Sequence, residues 1–144
     1  MLKNKLLASL LLVLSVTDGF ADNVDVVAQA KTTNRQLGEL VKIYFRFTEE
    51  MQSAAGTPRF LLQQHLLDLV KRRNQLDDVK TTGCAATVKD SALKTMNFGI
   101  EGFERFANQS NLSDEASFSL FKAYKDRTRR ELEECLEQLE KILK

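Results

Sequence analysis

The sequence contains a single histidine, His65, and this scarcity excludes several kinds of site. Zinc sites built on three histidines, helical motifs with paired histidines and haem held by two histidines all need more imidazole groups than this chain has. A di-metal carboxylate bundle would need a Glu-x-x-His motif on each of two helices. The sequence therefore predicts no bound metal and no cofactor.

The chain also lacks the patterns that usually accompany enzyme chemistry. It has no Walker-type glycine loop, no dinucleotide fingerprint and no strand-like alternation that could precede one. His65 has Asp68 three residues on, so one interpretation is a base oriented by a carboxylate. We favour a boundary histidine at the edge of an apolar helix face, because no nucleophile is placed by a recognisable turn. The sequence predicts a protein that is not an enzyme.

An excess of charge and a long apolar run are missing as well. Once residues 1–21 are set aside as a leader, basic and acidic side chains are equal in number. A neutral domain has no overall field that would steer it onto nucleic acid, so we expect no nucleic-acid partner. No stretch approaches the ~20 apolar residues of a membrane span, and we expect no transmembrane anchor.

The first feature that the sequence does contain is an N-terminal leader. Residues 1–21 combine a basic start, an apolar run from Leu6 to Val16 and a small-residue exit that ends at Ala21. This combination is typical of a secretory signal peptide. Residues 22–144 are then one helical domain of ordinary size, with a periplasmic or secreted location.

Cys84 and Cys135 are the only cysteines, and export to an oxidising compartment predicts that they form a disulfide. Apolar residues recur at steps of three and four on both sides of a polar break at 108–115, which predicts two antiparallel helices. The midpoint between the two cysteines falls inside that break. They should therefore lie side by side, as a bridge with Cα atoms roughly 4.4 to 6.8 Å apart requires.

Two further helices are predicted before this hairpin, one from about residue 23 to 53 and one that ends near Val79. The Gly56-Thr57-Pro58 segment separates them, with Pro58 expected at the first position of the second helix. Four helices with short loops indicate an all-α, antiparallel up-down-up-down four-helix bundle. A three-helix fold with a broken first helix is the main alternative.

In such a bundle the aromatic residues gather at the end that holds the first and third connections. Most of them lie on inward-facing stripes, but Phe45 and Phe98 lie off the stripes of their helices. Exposed aromatic side chains near each other would mark an association surface. A buried face wider than the stripe would explain them equally well.

Gly99 and Gly102 are unusual because each costs about 1 kcal/mol relative to alanine inside a helix. They allow a neighbouring helix to approach closely, or they leave room for a ligand beside Met96, Phe103 and Phe121.

Two functional hypotheses follow from these features. The first is an exported non-enzymatic protein of the inhibitor, immunity or accessory type, which binds another protein through Phe45 and Phe98. The second is a binder of a small apolar ligand in a pocket at the aromatic end, lined by Met96, Gly99, Gly102, Phe103 and Phe121. A homodimer is compatible with either hypothesis.

Overall fold

The computed structural model describes residues 3–108 and 115–144, with side chains described for residues 23–108 and 117–144. Over these ranges the chain is all-helical and has no strand, which confirms the predicted class. Its elements are α1 (Lys3–Ala55), a short 3-10 helix (Arg59–Leu61), α2 (Leu62–Asp78), α3 (Cys84–Asn108) and α4 (Glu115–Leu143).

Two of the sequence predictions fall partly outside the described residues. The polar break at 108–115 contains residues 109–114, which are not described, although α3 ends and α4 begins at its two edges. The backbone of α1 continues through the predicted cleavage position after residue 21, and the side chains of residues 1–22 are not described. The signal peptide stays a prediction.

The connection between α1 and α2 shows why the second helix begins later than predicted. The amide groups of Gly56 and Thr57 donate to the Ser53 and Ala54 carbonyls and close the last turn of α1. Pro58 is extended, and its carbonyl accepts a hydrogen bond from the Leu61 amide at 2.9 Å. This i to i+3 bond forms the 3-10 turn, so α2 begins after it rather than at Pro58.

The core lies where α1 and α3 face each other between α2 and α4. Within the described residues α1 contacts all three other helices, whereas α2 and α4 do not touch. The largest apolar side chains with less than 2% exposure come from all four helices: Phe47, Leu37, Leu40, Leu62, Leu69, Leu76, Met96 and Cys135. Each large aliphatic or aromatic side chain buried in this way contributes about 1.5–3 kcal/mol.

The α3–α4 pair brings the two cysteines together as predicted. Their sulfur atoms lie 2.04 Å apart and their Cα atoms 5.4 Å apart. Further along, the Thr95 and Thr128 hydroxyls lie 3.1 Å apart, and the Phe103 and Phe118 rings meet edge to face with centroids at 5.7 Å. Residue numbers rise along α3 as they fall along α4 in these contacts.

The 3-10 helix reaches the end of α3. Arg59 Nε donates to the Ala107 carbonyl at 2.9 Å, so the first connection lies beside the end of α3. Among the residues with described side chains, none of the helices contains a stretch that is both long and apolar enough to cross a bilayer.

Candidate functional site

An apolar pocket lies between α1 and α4, and we call it the α1–α4 pocket. Its volume is about 330 Å³. Val88 and Ala92 of α3 form its floor. The walls come from α1 and α4: Leu40, Val41, Tyr44, Phe45, Thr48, Gln52, Lys125, Asp126, Thr128, Arg129 and Leu132.

The pocket exists because the two helices present different residue types to each other on this flank. On α1, Val41 and Phe45 lie one position beyond the buried Leu40 and the half-buried Tyr44, so they face the edge of the interface. At this edge α4 carries the charged residues Lys125 and Arg129, and both are exposed. Val41 therefore remains 40% exposed and Phe45 61% exposed.

The inner end of the pocket holds a polar atom without a partner. The Tyr44 hydroxyl is buried and makes no hydrogen bond with any described residue. The Thr95 and Thr128 hydroxyls are nearby, and each donates to a carbonyl one turn back in its own helix, at 2.9 and 2.8 Å. They could only accept from Tyr44, and neither lies in hydrogen-bonding geometry with its hydroxyl. A buried hydroxyl without a partner costs about 1–3 kcal/mol.

The surroundings of Tyr44 also affect its ionisation. Burial raises the pKa of Tyr44 above its ordinary value of 10.0, and the nearby Thr95 and Thr128 hydroxyls act in the opposite direction with a smaller effect. The hydroxyl is therefore protonated throughout the neutral range and can donate a hydrogen bond.

The outer rim carries three charged side chains. Lys125 and Asp126 have no ion-pair partner within the described ranges. Arg129 Nε lies 4.0 Å from a Glu133 carboxylate oxygen, and both side chains are more than 60% exposed. Such an exposed pair contributes little to stability. The three rim side chains together carry one net positive charge, and Glu133 beside Arg129 offsets part of it.

The structure separates Phe45 from Phe98. Phe45 is exposed in the α1–α4 pocket, on the flank of α4 that faces α1. Phe98 of α3 is half-buried, and its ring packs against Tyr124 of α4 with centroids 5.2 Å apart. Arg127 in turn lies over the Tyr124 ring at 6.0 Å. Phe45 thus lines the α1–α4 pocket and Phe98 does not.

The two glycines of α3 have neighbours at close range. A Cβ atom added at Gly99 would lie 2.8 Å from Met51 Cε and 3.1 Å from Phe121 Cδ2. One added at Gly102 would lie 3.3 Å from Phe118 Cζ. Both glycines thus permit side chains of α1 and α4 to pack against the α3 backbone.

The five residues of the predicted ligand pocket are consequently packed into the protein interior or against it. Met96, Gly99, Gly102 and Phe103 are buried, and Phe121 is half-buried. None of the five lines the α1–α4 pocket. The space that the glycines leave is occupied by side chains of the protein itself, and the open space lies on a different flank of the bundle.

His65 belongs to a network that its sequence neighbours do not predict. Its Nδ1 lies 2.5 Å from Glu50 Oε1 and its Nε2 lies 3.0 Å from Thr57 Oγ1. Asp68, the carboxylate suggested by sequence spacing, accepts a hydrogen bond from Gln64 instead. Glu50 could not be assigned from the sequence because it reaches His65 only through the turn at 56–61.

The order hydroxyl, imidazole and carboxylate resembles a nucleophile–base–acid triad, but its surroundings favour a structural role. The Thr57 hydroxyl also lies 2.8 Å from the Ser53 carbonyl, to which it donates at the end of α1. The nearest backbone amides, those of Gly56 and Thr57, are bonded to carbonyls of α1 and do not point to an oxyanion. We interpret the network as a clamp that holds the end of α1 against α2.

This interpretation predicts a stability effect. Replacing His65 with Phe should lower the free energy of unfolding by about 1–2 kcal/mol, because it removes both hydrogen bonds of the ring and leaves Glu50 without its partner, while Thr57 keeps its bond to Ser53. The measurement is urea unfolding followed by circular dichroism. Asp68→Asn is the matched control on the same helix, and it should leave stability unchanged because Asp68 makes only an exposed hydrogen bond. An equal loss in both variants would contradict the clamp.

In the part of the chain that is described, no three His, Cys, Asp or Glu side chains are grouped closely enough to hold a metal ion. Comparison of the chain with protein-family models, with curated proteins and with solved structures found no match.

Proposed function

We propose that this chain is an exported, non-enzymatic helical protein that binds a small apolar ligand in the α1–α4 pocket. The observation that supports it is a space of about 330 Å³ between helices of a bundle, with a lining surface that is mainly apolar. Ligand pockets in proteins have volumes of about 300–1,000 Å³ and this kind of lining. The proposal keeps the ligand hypothesis from the sequence and moves its site from α3 to the α1–α4 interface.

The proposal includes the arrangement and location of the domain. The antiparallel contacts between α3 and α4, and the contact of Arg59 with Ala107, support an up-down-up-down order. A cysteine pair at disulfide distance supports folding in an oxidising compartment, as a periplasmic or secreted protein would. The signal peptide at residues 1–21 would direct residues 22–144 there as one domain.

A protein partner is the second candidate, and the exposure of the pocket mouth favours it. Beyond the pocket, the same α1–α4 interface carries Leu136 and Leu143, which are 46% and 38% exposed. With Val41 and Phe45 they make apolar surface of the kind that marks protein contacts. A second copy of the chain would be one such partner.

The proposed function is tested by removing Phe45, with Phe98 as the matched control. Phe45→Ser should weaken saturable binding of the neutral fluorescent probe N-phenyl-1-naphthylamine at least tenfold, because the ring forms part of the pocket wall. It should leave the thermal midpoint nearly unchanged, since the side chain is 61% exposed. Phe98→Ser should leave probe binding unchanged but lower stability by about 1–3 kcal/mol, because Phe98 is half-buried against Tyr124.

Probe fluorescence measures ligand binding, and differential scanning calorimetry measures the thermal midpoint. If the native protein binds no probe, or if Phe45→Ser binds it as well as the native protein does, the α1–α4 pocket is not a ligand site. If the chain instead dimerises and Phe45→Ser makes it monomeric, the second candidate is supported.

A further inference from the structure

We infer that the ligand of the α1–α4 pocket is an apolar carboxylic acid that also carries a neutral oxygen. Its carboxylate would lie at the outer rim with Lys125, and its neutral oxygen would accept a hydrogen bond from the Tyr44 hydroxyl. This inference rests on the proposed function and names the chemical class of the ligand.

At the inner end of the pocket, a hydrogen-bond acceptor on the ligand would provide a partner for the Tyr44 hydroxyl. The Tyr44 hydroxyl is protonated, because burial raises its pKa. It is buried, and no described side chain lies in hydrogen-bonding geometry with it. Buried polar groups in proteins nearly always have one. An uncharged acceptor such as a hydroxyl or carbonyl oxygen suits this position, because a carboxylate would lose its hydration there with no cation described at the inner end.

The charges at the outer rim favour a negatively charged group on the ligand. Lys125 has no ion-pair partner within residues 23–108 and 117–144, and Arg129 has only a long, exposed contact with Glu133. Asp126 lowers the positive charge of the rim but does not cancel it. The remaining charge favours an anion over a cation, and it lies where the ligand's charged end can stay hydrated.

The volume limits the size of the ligand. At ~30 Å³ per water-sized unit, 330 Å³ holds on the order of ten non-hydrogen atoms, and the rest of a larger molecule such as N-phenyl-1-naphthylamine would extend through the pocket mouth. The floor is formed by the small side chains of Val88 and Ala92. A carboxylic acid of about ten carbons matches this space, with its charged end outside.

The experiment uses the native chain and four probes below their micellar concentrations: decanoate, decan-1-ol, 3-hydroxydecanoate and 10-hydroxydecanoate. Isothermal titration calorimetry should show decanoate binding at least tenfold tighter than decan-1-ol. Lys125→Gln should remove that difference without weakening decan-1-ol. Lys122→Gln is the matched control, because Lys122 lies one turn away on α4 and does not line the pocket.

Tyr44→Phe tests the inner end. At least one hydroxydecanoate should bind several-fold tighter than decanoate to the native protein, and this gain should disappear in Tyr44→Phe. The thermal midpoint of the unliganded variant should be equal to or above that of the native chain, because the substitution removes an unpaired hydroxyl. A lower midpoint would mean that the hydroxyl has a partner within the protein, and the neutral-oxygen half of the inference would be wrong.

The outcomes separate the ligand class from the proposed function. If decan-1-ol and decanoate bind equally and Lys125→Gln changes neither, the carboxylate half is wrong while ligand binding stands. If neither N-phenyl-1-naphthylamine nor any of the four probes binds, the proposed function fails together with the inference.

Discussion

Replacing Cys84 and Cys135 together with serine should lower the free energy of unfolding by roughly 4 kcal/mol, from the entropy of closing a loop of this length. The two cysteines are 51 residues apart, and the loop between them holds α3 and most of α4. Without the bridge, the unfolded chain gains the freedom that the closed loop removed. Single domains are stable by only about 5–15 kcal/mol, so this loss is a large share of the total.

The loss of stability should arise from the greater freedom of the unfolded chain, and the packing of the native bundle should change little. The Cα atoms are 5.4 Å apart between two helices that also meet through Thr95 with Thr128 and Phe103 with Phe118, and serine fits the space of a half-cystine. We therefore expect the double variant to keep its helical circular dichroism at 25 °C while its urea midpoint falls.

Chemical reduction of the native protein is the matched control for the double serine variant. Both samples should unfold at nearly the same urea concentration, because both lack the closed loop. A double variant as stable as the oxidised native chain would show that the bridge does not constrain the unfolded protein. A reduced native protein that stays at the oxidised midpoint would contradict the expected bond.

The parts of the fold that could be predicted are those that depend on local pattern. Apolar residues at steps of three and four predicted the helices, and the position of the cysteines about the polar break predicted their proximity. Both predictions were confirmed because helix geometry determines which residues share a face. The start of α2 was wrong by four residues, because the i to i+3 bond from Leu61 to Pro58 is a local alternative that periodicity does not reveal.

The candidate site could not be predicted in the same way, because it depends on how two distant helices face each other. Phe45 was recognised as lying off its stripe, and it is exposed. Phe98, recognised by the same rule, is half-buried because Tyr124 of α4 packs on it. Nothing in the local pattern of α1 indicates that α4 presents Lys125 and Arg129 beside Phe45, and this pairing creates the pocket.

The glycines of α3 show the same limit, since the sequence left two explanations open. Close approach and room for a ligand both require a missing side chain at the same position. Only the positions of Met51, Phe118 and Phe121 distinguish them, and these residues belong to other helices. The structure favours close approach, which makes a definite prediction about substitution.

Replacing Gly99 with leucine should lower the free energy of unfolding by about 3 kcal/mol, at the upper end of the usual cost of overpacking a core. The first added carbon would already lie 2.8 Å from Met51 Cε and 3.1 Å from Phe121 Cδ2, and three more carbons follow it. The gain in helix propensity over glycine, about 1 kcal/mol, offsets only part of the strain. Gly99→Ala should be nearly neutral, because the flexible end of Met51 can move away from a single methyl group.

Gly38→Ala is the matched control within α1, because a Cβ atom added there has nothing within 4 Å. This variant should gain about 0.5–1 kcal/mol from helix propensity alone. Urea unfolding of the three variants therefore separates the effect of side-chain packing from the effect of helix propensity, because both glycines lie within helices. If Gly99→Leu were as stable as the native chain, the space beside Gly99 would be open, and Met96, Phe103 and Phe121 would again be the better lining for a ligand. A loss confined to Gly99→Leu would instead leave the α1–α4 pocket as the place where the bundle has room for one.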